Sequence, residues 1–181
     1  MTIRLLAPTT INRIAAGEVI ERPAAVVREL LDNAIDAGAT DIEIEIEAGG
    51  KRTIRISDDG SGIPKGELPL AIQRHATSKL PEEDLNQILY LGFRGEALPS
   101  IGAVARLAIT SGQGSESWRQ RVEGGEVFGL EPAPRRKGTI VEVNDLFYAT
   151  PARLKFLKTD LSETQACLEI VRRQAIASPE I

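Results

Sequence analysis

Apolar residues recur along the chain in two rhythms, and the switches between them mark out its elements. From Pro23 to Gly38, the residues Val26, Val27, Leu30, Leu31, Ala34 and Ile35 fall on one face at helical spacing. Pro23 suits a helix start and Gly38 the position just past a helix end, so the stretch predicts a helix of about four turns. Ile42 to Glu47 then alternates Ile and Glu strictly, Gly49-Gly50 makes a turn, and residues 53–57 alternate again. Two such runs predict an antiparallel hairpin with one wet face. Ahead of them, Ile11, Ile14, Ala15 and Ala16 give the first twenty residues the rhythm of a short helix or arm. Helical spacing returns over 68–74, 85–91 and, after a glycine-rich stretch, 98–104. Strands are expected near 106–111, 118–123, 126–130 and 139–144, with a closing helix over about 162–177. Helices interspersed with hairpin strands predict an α+β two-layer sandwich, with helices on one face of a mixed, mostly antiparallel sheet.

Composition narrows the class. The chain has 181 residues, 42% of them hydrophobic and 27% charged, which is enough for one ordinary folded domain. A net charge of −4 argues against DNA binding by bulk electrostatics as the main task. The single cysteine, Cys167, forms no internal disulfide, in keeping with a reducing compartment. There is no basic-then-apolar leader and no apolar run of the roughly 18 residues a membrane span requires. A soluble cytoplasmic protein is expected, or a nuclear one if the source is eukaryotic. Ser178-Pro179-Glu180-Ile181 carries no stop signal of its own, so the sequence is expected to be cut from a longer chain.

Three segments carry candidate chemistry. Glu29 and Asn33 lie one helical turn apart beside the apolar stripe. A carboxylate there can take a proton from water and an amide oxygen can ligate a hard cation, although a solvated helix edge has the same pattern. Asp58-Asp59-Gly60-Ser61-Gly62 leaves the second hairpin strand. A carboxylate held there can accept from a purine amine while the glycines admit a flat ring, or the run is simply an acidic turn. Gly92, Phe93, Arg94, Gly95, Glu96, Ala97 and Leu98 place two glycines just before a helix start, where free amides suit phosphate oxygens. Thr77, Ser78 and Lys79 add two hydroxyls and an ammonium on a loop, or ordinary helix caps. His75 is the sole histidine and is read as structural. Trp118 is expected to be a partly buried sheet residue. Arg135, Arg136, Lys137, Arg153, Lys155 and Lys158 offer at most a weak DNA contact, with a solvated face as the simpler reading.

Together these segments become specific. ELLDNAIDAGA, DDGSGI, GFRGEAL and Gly138-Thr139 resemble the four motifs of the GHKL ATPase superfamily. INRIAAGEVIERPAAVVREL, RHATSK, LGFRGEALPSI and DLFYATPARLKFLK narrow the resemblance to the MutL family of DNA mismatch repair proteins, and these runs tag almost the whole chain.

The resemblance implies a Bergerat-type sandwich, with an N-terminal arm over 1–20 and a GHKL ATP-binding domain over 21–181. The family's second N-terminal domain, with its γ-phosphate-contacting lysine, and its C-terminal dimerisation domain would lie outside this sequence. By resemblance, Glu29 is the catalytic residue that activates water. Asn33 holds Mg²⁺ against the phosphates of ATP or ADP. Asp58 reads the adenine amine, Gly62 lines the base pocket and Thr139 supports Asp58. Thr77, Ser78 and Lys79 lie near the phosphates, and the segment from Gly92 to Leu98 is the ATP lid. Slow Mg²⁺-dependent ATP hydrolysis would then drive a conformational switch in mismatch repair. Implied partners are a second subunit joined through the N-terminal arm when ATP is bound, a mismatch-recognition protein and a downstream nuclease or helicase, with no membrane. The arm would be mobile without its partner. The alternative is a nucleotide-binding module that hydrolyses little in this truncated form. Phosphotransfer to a partner histidine and primary DNA binding are less consistent with the MutL-specific runs.

Overall fold

The structure is a computed structural model and describes residues 3–79, 95–113, 116–134 and 137–181. The helix expected over 85–91 lies outside the described residues, as do Gly92, Phe93, Arg94, Arg135 and Arg136. In chain order the elements are α1 (Pro8–Val19), α2 (Pro23–Asp36), β1 (Ile42–Glu47), β2 (Thr53–Asp58), α3 (Leu68–Ala71) and α4 (Ala97–Val104). Then come β3 (Arg106–Gln113), β4 (Glu116–Glu123), β5 (Glu126–Val127), β6 (Glu131–Pro132), β7 (Gly138–Asn144), α5 (Pro151–Leu154) and α6 (Asp160–Ala177).

The strands form one sheet in the order β1-β2-β7-β3-β4-β5, with β6 also on β4, and every described pairing is antiparallel. Register places three rows across the helix-covered face. Ile46, Ile54, Val143, Leu107 and Val122 make one apolar row, and Ile44, Ile56, Val141 and Ile109 make the next. The third row, Ile42, Asp58, Thr139, Ser111 and Trp118, is largely polar. The core ends where that row begins, and the candidate site begins there. The opposite face is wet and carries cross-strand ion pairs such as Arg55–Glu45 and Arg119–Glu142, both at 2.8 Å. Their exposure makes each worth at most about 1 kcal/mol.

Helix α2 starts and stops as its sequence predicts. Pro23 occupies the first turn, where its missing N–H costs nothing. At the other end Gly38 is left-handed, its amide reaches Ile35 O at 2.9 Å, and the amide of Ala39 reaches Ala34 O at 3.1 Å. That is a Schellman closure. Val26, Val27, Leu30 and Leu31 are buried, each contributing about 1.5–3 kcal/mol. The helix packs on β2, α4 and α6. A buried carboxylate, Glu163, joins α6 to this layer. It accepts from Arg22 Nε at 3.0 Å and Nη2 at 2.9 Å, and from the Lys158 amide at 2.9 Å.

Four local differences from the sequence expectation have physical causes. The hairpin turn is a 3₁₀ segment, Ala48–Gly50, because the register Glu47–Thr53 leaves residues 48–52 to cross over. The helix expected over 68–74 ends at Ala71, and His75 turns the backbone left-handed at φ 64°. The strand expected over 126–130 pairs with β4 only at Glu126 and Val127, and β6 rejoins the edge at Glu131 and Pro132, where a missing amide is tolerated. Helix α5 escaped the periodicity reading because it is a single turn opened by Pro151. Helix α1 packs on α4 with Ala16 and Ile20 buried, and Arg153 donates to Gly17 O at 2.9 Å. Ile3 and Leu5 ahead of it are fully exposed.

Candidate functional site

A cleft of about 840 Å³ opens between α2, the polar end of the sheet and the start of α4. It brings together Asn33, Asp58, Gly62, Thr77, Ser78, Lys79, Gly95, Glu96, Ala97, Leu98 and Thr139. Glu29 is not among the residues that line it. That carboxylate sits one turn before Asn33 on α2, with Arg28 Nη2 at 3.3 Å.

Asp58 is the last residue of β2 and is 6% exposed. Its Oδ1 accepts from the Gly60 amide at 2.9 Å and the Thr139 amide at 3.2 Å, so two backbone donors hold the carboxylate at the cleft wall. The loop behind it is shaped by glycine. Gly62 has φ +72°, and a Cβ there would lie 2.5 Å from Gly112 O. Gly138 has φ +80° and lies so close to Asp58 O that a Cβ would meet it at 2.0 Å. Asp59 turns the other way. Its carboxylate accepts from Thr40 Oγ1 and the Thr40 amide, each at 2.7 Å, and from the Asp41 amide at 3.0 Å. Those bonds, the Thr40 hydroxyl first, hold its carboxyl well below the usual range. The paired aspartates therefore divide the work, one facing the cleft and one fastening its loop to the end of α2.

The other part of the cleft is polar and mixed in charge. Lys79 Nζ donates to Asn33 Oδ1 at 2.9 Å and forms an ion pair with Asp36. The Asn33 amide oxygen and the Asp36 carboxylate are hard-oxygen donors of the chemistry Mg²⁺ takes, and here both accept from the Lys79 ammonium. Thr77 Oγ1 accepts from the Lys79 amide at 3.1 Å. Residues from Gly95 to Leu98 bring the N-terminus of α4 to the cleft with no side-chain cap among the described residues, so the positive helix end faces it. The Gly95 carbonyl accepts from the His75 amide at 3.1 Å, tying this start to the loop that carries Thr77, Ser78 and Lys79. The His75 side chain is largely exposed, with Nδ1 3.8 Å from Glu96.

Sequence reasoning missed two cleft-associated residues. Asp36 follows Asn33 by three positions, a spacing that puts both on one helix face and was available as a signal. Ser111 had no local signal, because only the register of β3 against β7 brings it to Thr139. Asp32, on the same helix as Asn33, is half-buried and accepts from Gln174 of α6. Burial first, then the charge of Glu29, pushes its carboxyl upward. Trp118 is half-buried as expected, with the Lys65 ammonium 3.5 Å from its ring centroid. Of the basic residues, Arg153 is committed to Gly17 O.

Residues 21–126 match the family of histidine kinase-, DNA gyrase B- and HSP90-like ATPases. The whole chain is 61% identical over 183 aligned residues to the DNA mismatch repair protein MutL of Rhodopseudomonas palustris, spanning 31% of that protein. Against MutL of Azorhizobium caulinodans the identity is 62%, over 29% of that protein. The chain thus spans about a third of the length of these curated relatives. Among solved structures it is similar to the Aquifex aeolicus MutL ATPase domain complexed with ADP, at TM-score 0.73 and 33% identity, covering 90% of this chain and 58% of that one. It is also similar to the N-terminal domain of a DNA repair protein, at TM-score 0.78 and 32% identity, covering 94% and 50%. Among the described residues no helix is long and apolar enough to cross a membrane.

Proposed function

The chain belongs to the histidine kinase-, DNA gyrase B- and HSP90-like ATPase family and is of the MutL type, and from that premise we propose that its cleft binds Mg-ATP and hydrolyses it slowly. The observation that carries this reading is Asp58, a nearly buried carboxylate fixed by two backbone amides on the wall of an 840 Å³ cleft. An ionised carboxylate only accepts hydrogen bonds, so it matches the 6-amino donor of adenine. Gly62 keeps the wall beside it thin enough for a flat base. Thr77, Ser78 and Lys79, with the amides from Gly95 to Leu98 at the start of α4, supply donors and positive potential for the phosphates. Gly92, Phe93 and Arg94 complete the lid in this reading. The ADP-bound state of the similar Aquifex aeolicus domain supports the nucleotide class.

Asn33 Oδ1 would hold Mg²⁺, which when bound neutralises phosphate charge. Glu29, one turn earlier, orients and deprotonates the attacking water. Phosphoryl transfer to water depends mainly on such positioning and charge neutralisation. The wider role we assign is a conformational switch in mismatch repair. A second subunit would be engaged through the N-terminal arm, and a mismatch-recognition protein and a downstream nuclease or helicase would read the ATP state. The exposed Ile3 and Leu5, with the half-exposed Ile11 and Ile14, give that arm an apolar surface for a partner to cover.

One observation favours the second reading, a module that binds nucleotide without appreciable hydrolysis. Glu29 contacts Arg28 and does not line the cleft. Phosphate release at high protein concentration separates the two. Wild type should release phosphate, and Glu29→Ala should keep ADP binding while losing turnover by roughly 10²-fold or more. Turnover within about threefold of wild type would refute the role given to Glu29, and no release from wild type would select the binding module.

A further inference from the structure

Ser111 of β3 has no part in the reading above, yet its hydroxyl is a junction between three segments. It is 0% exposed. The amide of Ile63, in the loop behind Asp58, donates to Ser111 Oγ at 2.7 Å. Ser111 Oγ donates to the Gly138 carbonyl at 3.1 Å, and Thr139 Oγ1 lies 2.9 Å away. A serine hydroxyl has one proton and two lone pairs. An amide can only donate and a carbonyl can only accept, so the first two contacts use one lone pair and the only proton. With the Ser111 proton on Gly138 O, the lone pair that remains faces Thr139 and accepts from its hydroxyl.

That arrangement decides what Thr139 presents to the cleft. With its proton committed to Ser111, the Thr139 oxygen offers only lone pairs. It does so beside Asp58, its register partner, whose carboxylate also only accepts. We infer that Ser111 is a positioning residue for base selection, which takes the Thr139 proton and so makes the Thr139 hydroxyl a second acceptor in the base pocket. Two acceptors side by side favour a purine bearing an exocyclic amine and oppose one bearing a carbonyl at the same place. Burial sharpens the effect, because a hydrogen bond is electrostatically stronger in a low-dielectric interior than in water. This inference rests on the reading of Asp58 as the base contact.

The test compares ADP with IDP, which differ in the amine or carbonyl at that ring position. Both are titrated calorimetrically into wild type, Ser111→Ala and Thr139→Val. Wild type should bind ADP at least about tenfold more tightly. In Ser111→Ala the Thr139 proton is free to meet the IDP carbonyl, so the ADP:IDP ratio should fall by about two- to tenfold, the range of one hydrogen bond. Thr139→Val should also lower the ratio, without tightening IDP, because it removes an acceptor and adds no donor. Parallel weakening of both ligands in Ser111→Ala, with the ratio intact, would show a purely structural serine and overturn the inference alone. Should Ser111→Ala not fold, an unchanged ratio in Thr139→Val overturns it equally. Equal ADP and IDP affinities in wild type would instead overturn the assignment of Asp58, and this inference with it.

Discussion

Replacing Gly62 with alanine tests the shape of the candidate base pocket without touching its charge. At φ +72° an alanine pays a left-handed backbone cost of about 1–2 kcal/mol. Its Cβ would also sit 2.5 Å from the Gly112 carbonyl oxygen and 3.2 Å from that carbonyl carbon. Those atoms belong to a sheet strand and cannot swing aside as a flexible side chain could. Relieving the overlap adds roughly 1–3 kcal/mol, the usual range for overpacking. The sum is about 2–5 kcal/mol, which for a chain of this size lowers Tm by roughly 4–20 °C. Gly66 is the internal control. It follows in the same loop, has no left-handed φ, and nothing lies within 4 Å of its added Cβ. Gly66→Ala should range from neutral to about 1 kcal/mol more stable. Thermal unfolding followed by circular dichroism reads both. Equal midpoints for the two variants would show that Gly62 is not held against Gly112, and the geometry given for the loop would be wrong.

Two further perturbations fall on α2. Asn33→Ala should abolish the strengthening of nucleotide binding by Mg²⁺ if, as proposed, Asn33 Oδ1 holds the ion; titration with and without Mg²⁺ checks this, and an unchanged Mg²⁺ effect would place the ion elsewhere. Asp32→Asn should raise Tm at pH 7, since burial and the Glu29 charge lift the folded carboxyl above its unfolded value. The sign follows from linkage: that carboxyl's contribution to stability is greatest below the ordinary value of about 3.9 and is lost as pH rises through the raised folded value. The gap between variant and wild type should therefore close as pH falls towards about 4, and a gap independent of pH would count against the assignment.

Much of the fold was legible because its signals are local. The Pro23 start, the Gly38 stop and the strict Ile/Glu alternation of β1 each specify an element within a few residues. The single-turn α5 and the two-residue β6 were not legible, and the strand over 126–130 was read too long, since such short elements carry little period to detect. In the site, Asp58 and Gly62 could be picked out from an acidic, glycine-rich strand end. The division of labour between Asp58 and Asp59 could not, because it depends on Thr40, which is close only in the folded chain. Ser111 shows the same limit more sharply. Nothing around it in sequence marks it, and its place beside Thr139 and Ile63 is set by the pairing of β3 with β7 and by the loop behind Asp58. Asp36 could have been found, since helical spacing alone sets it beside Asn33.

The central claim is that Asp58 makes this cleft an adenine-nucleotide site, and the most direct measurement is calorimetric titration of wild type and Asp58→Asn with ADP and GDP. Guanine presents a carbonyl where adenine presents its amine, and two acceptors facing each other in a closed pocket repel. Wild type should bind ADP at least about tenfold more tightly than GDP, a difference of about 1.4 kcal/mol or more. Asp58→Asn should weaken ADP and narrow that preference, since its amide can donate to the guanine carbonyl. Equal affinity of the wild type for ADP and GDP would contradict the account.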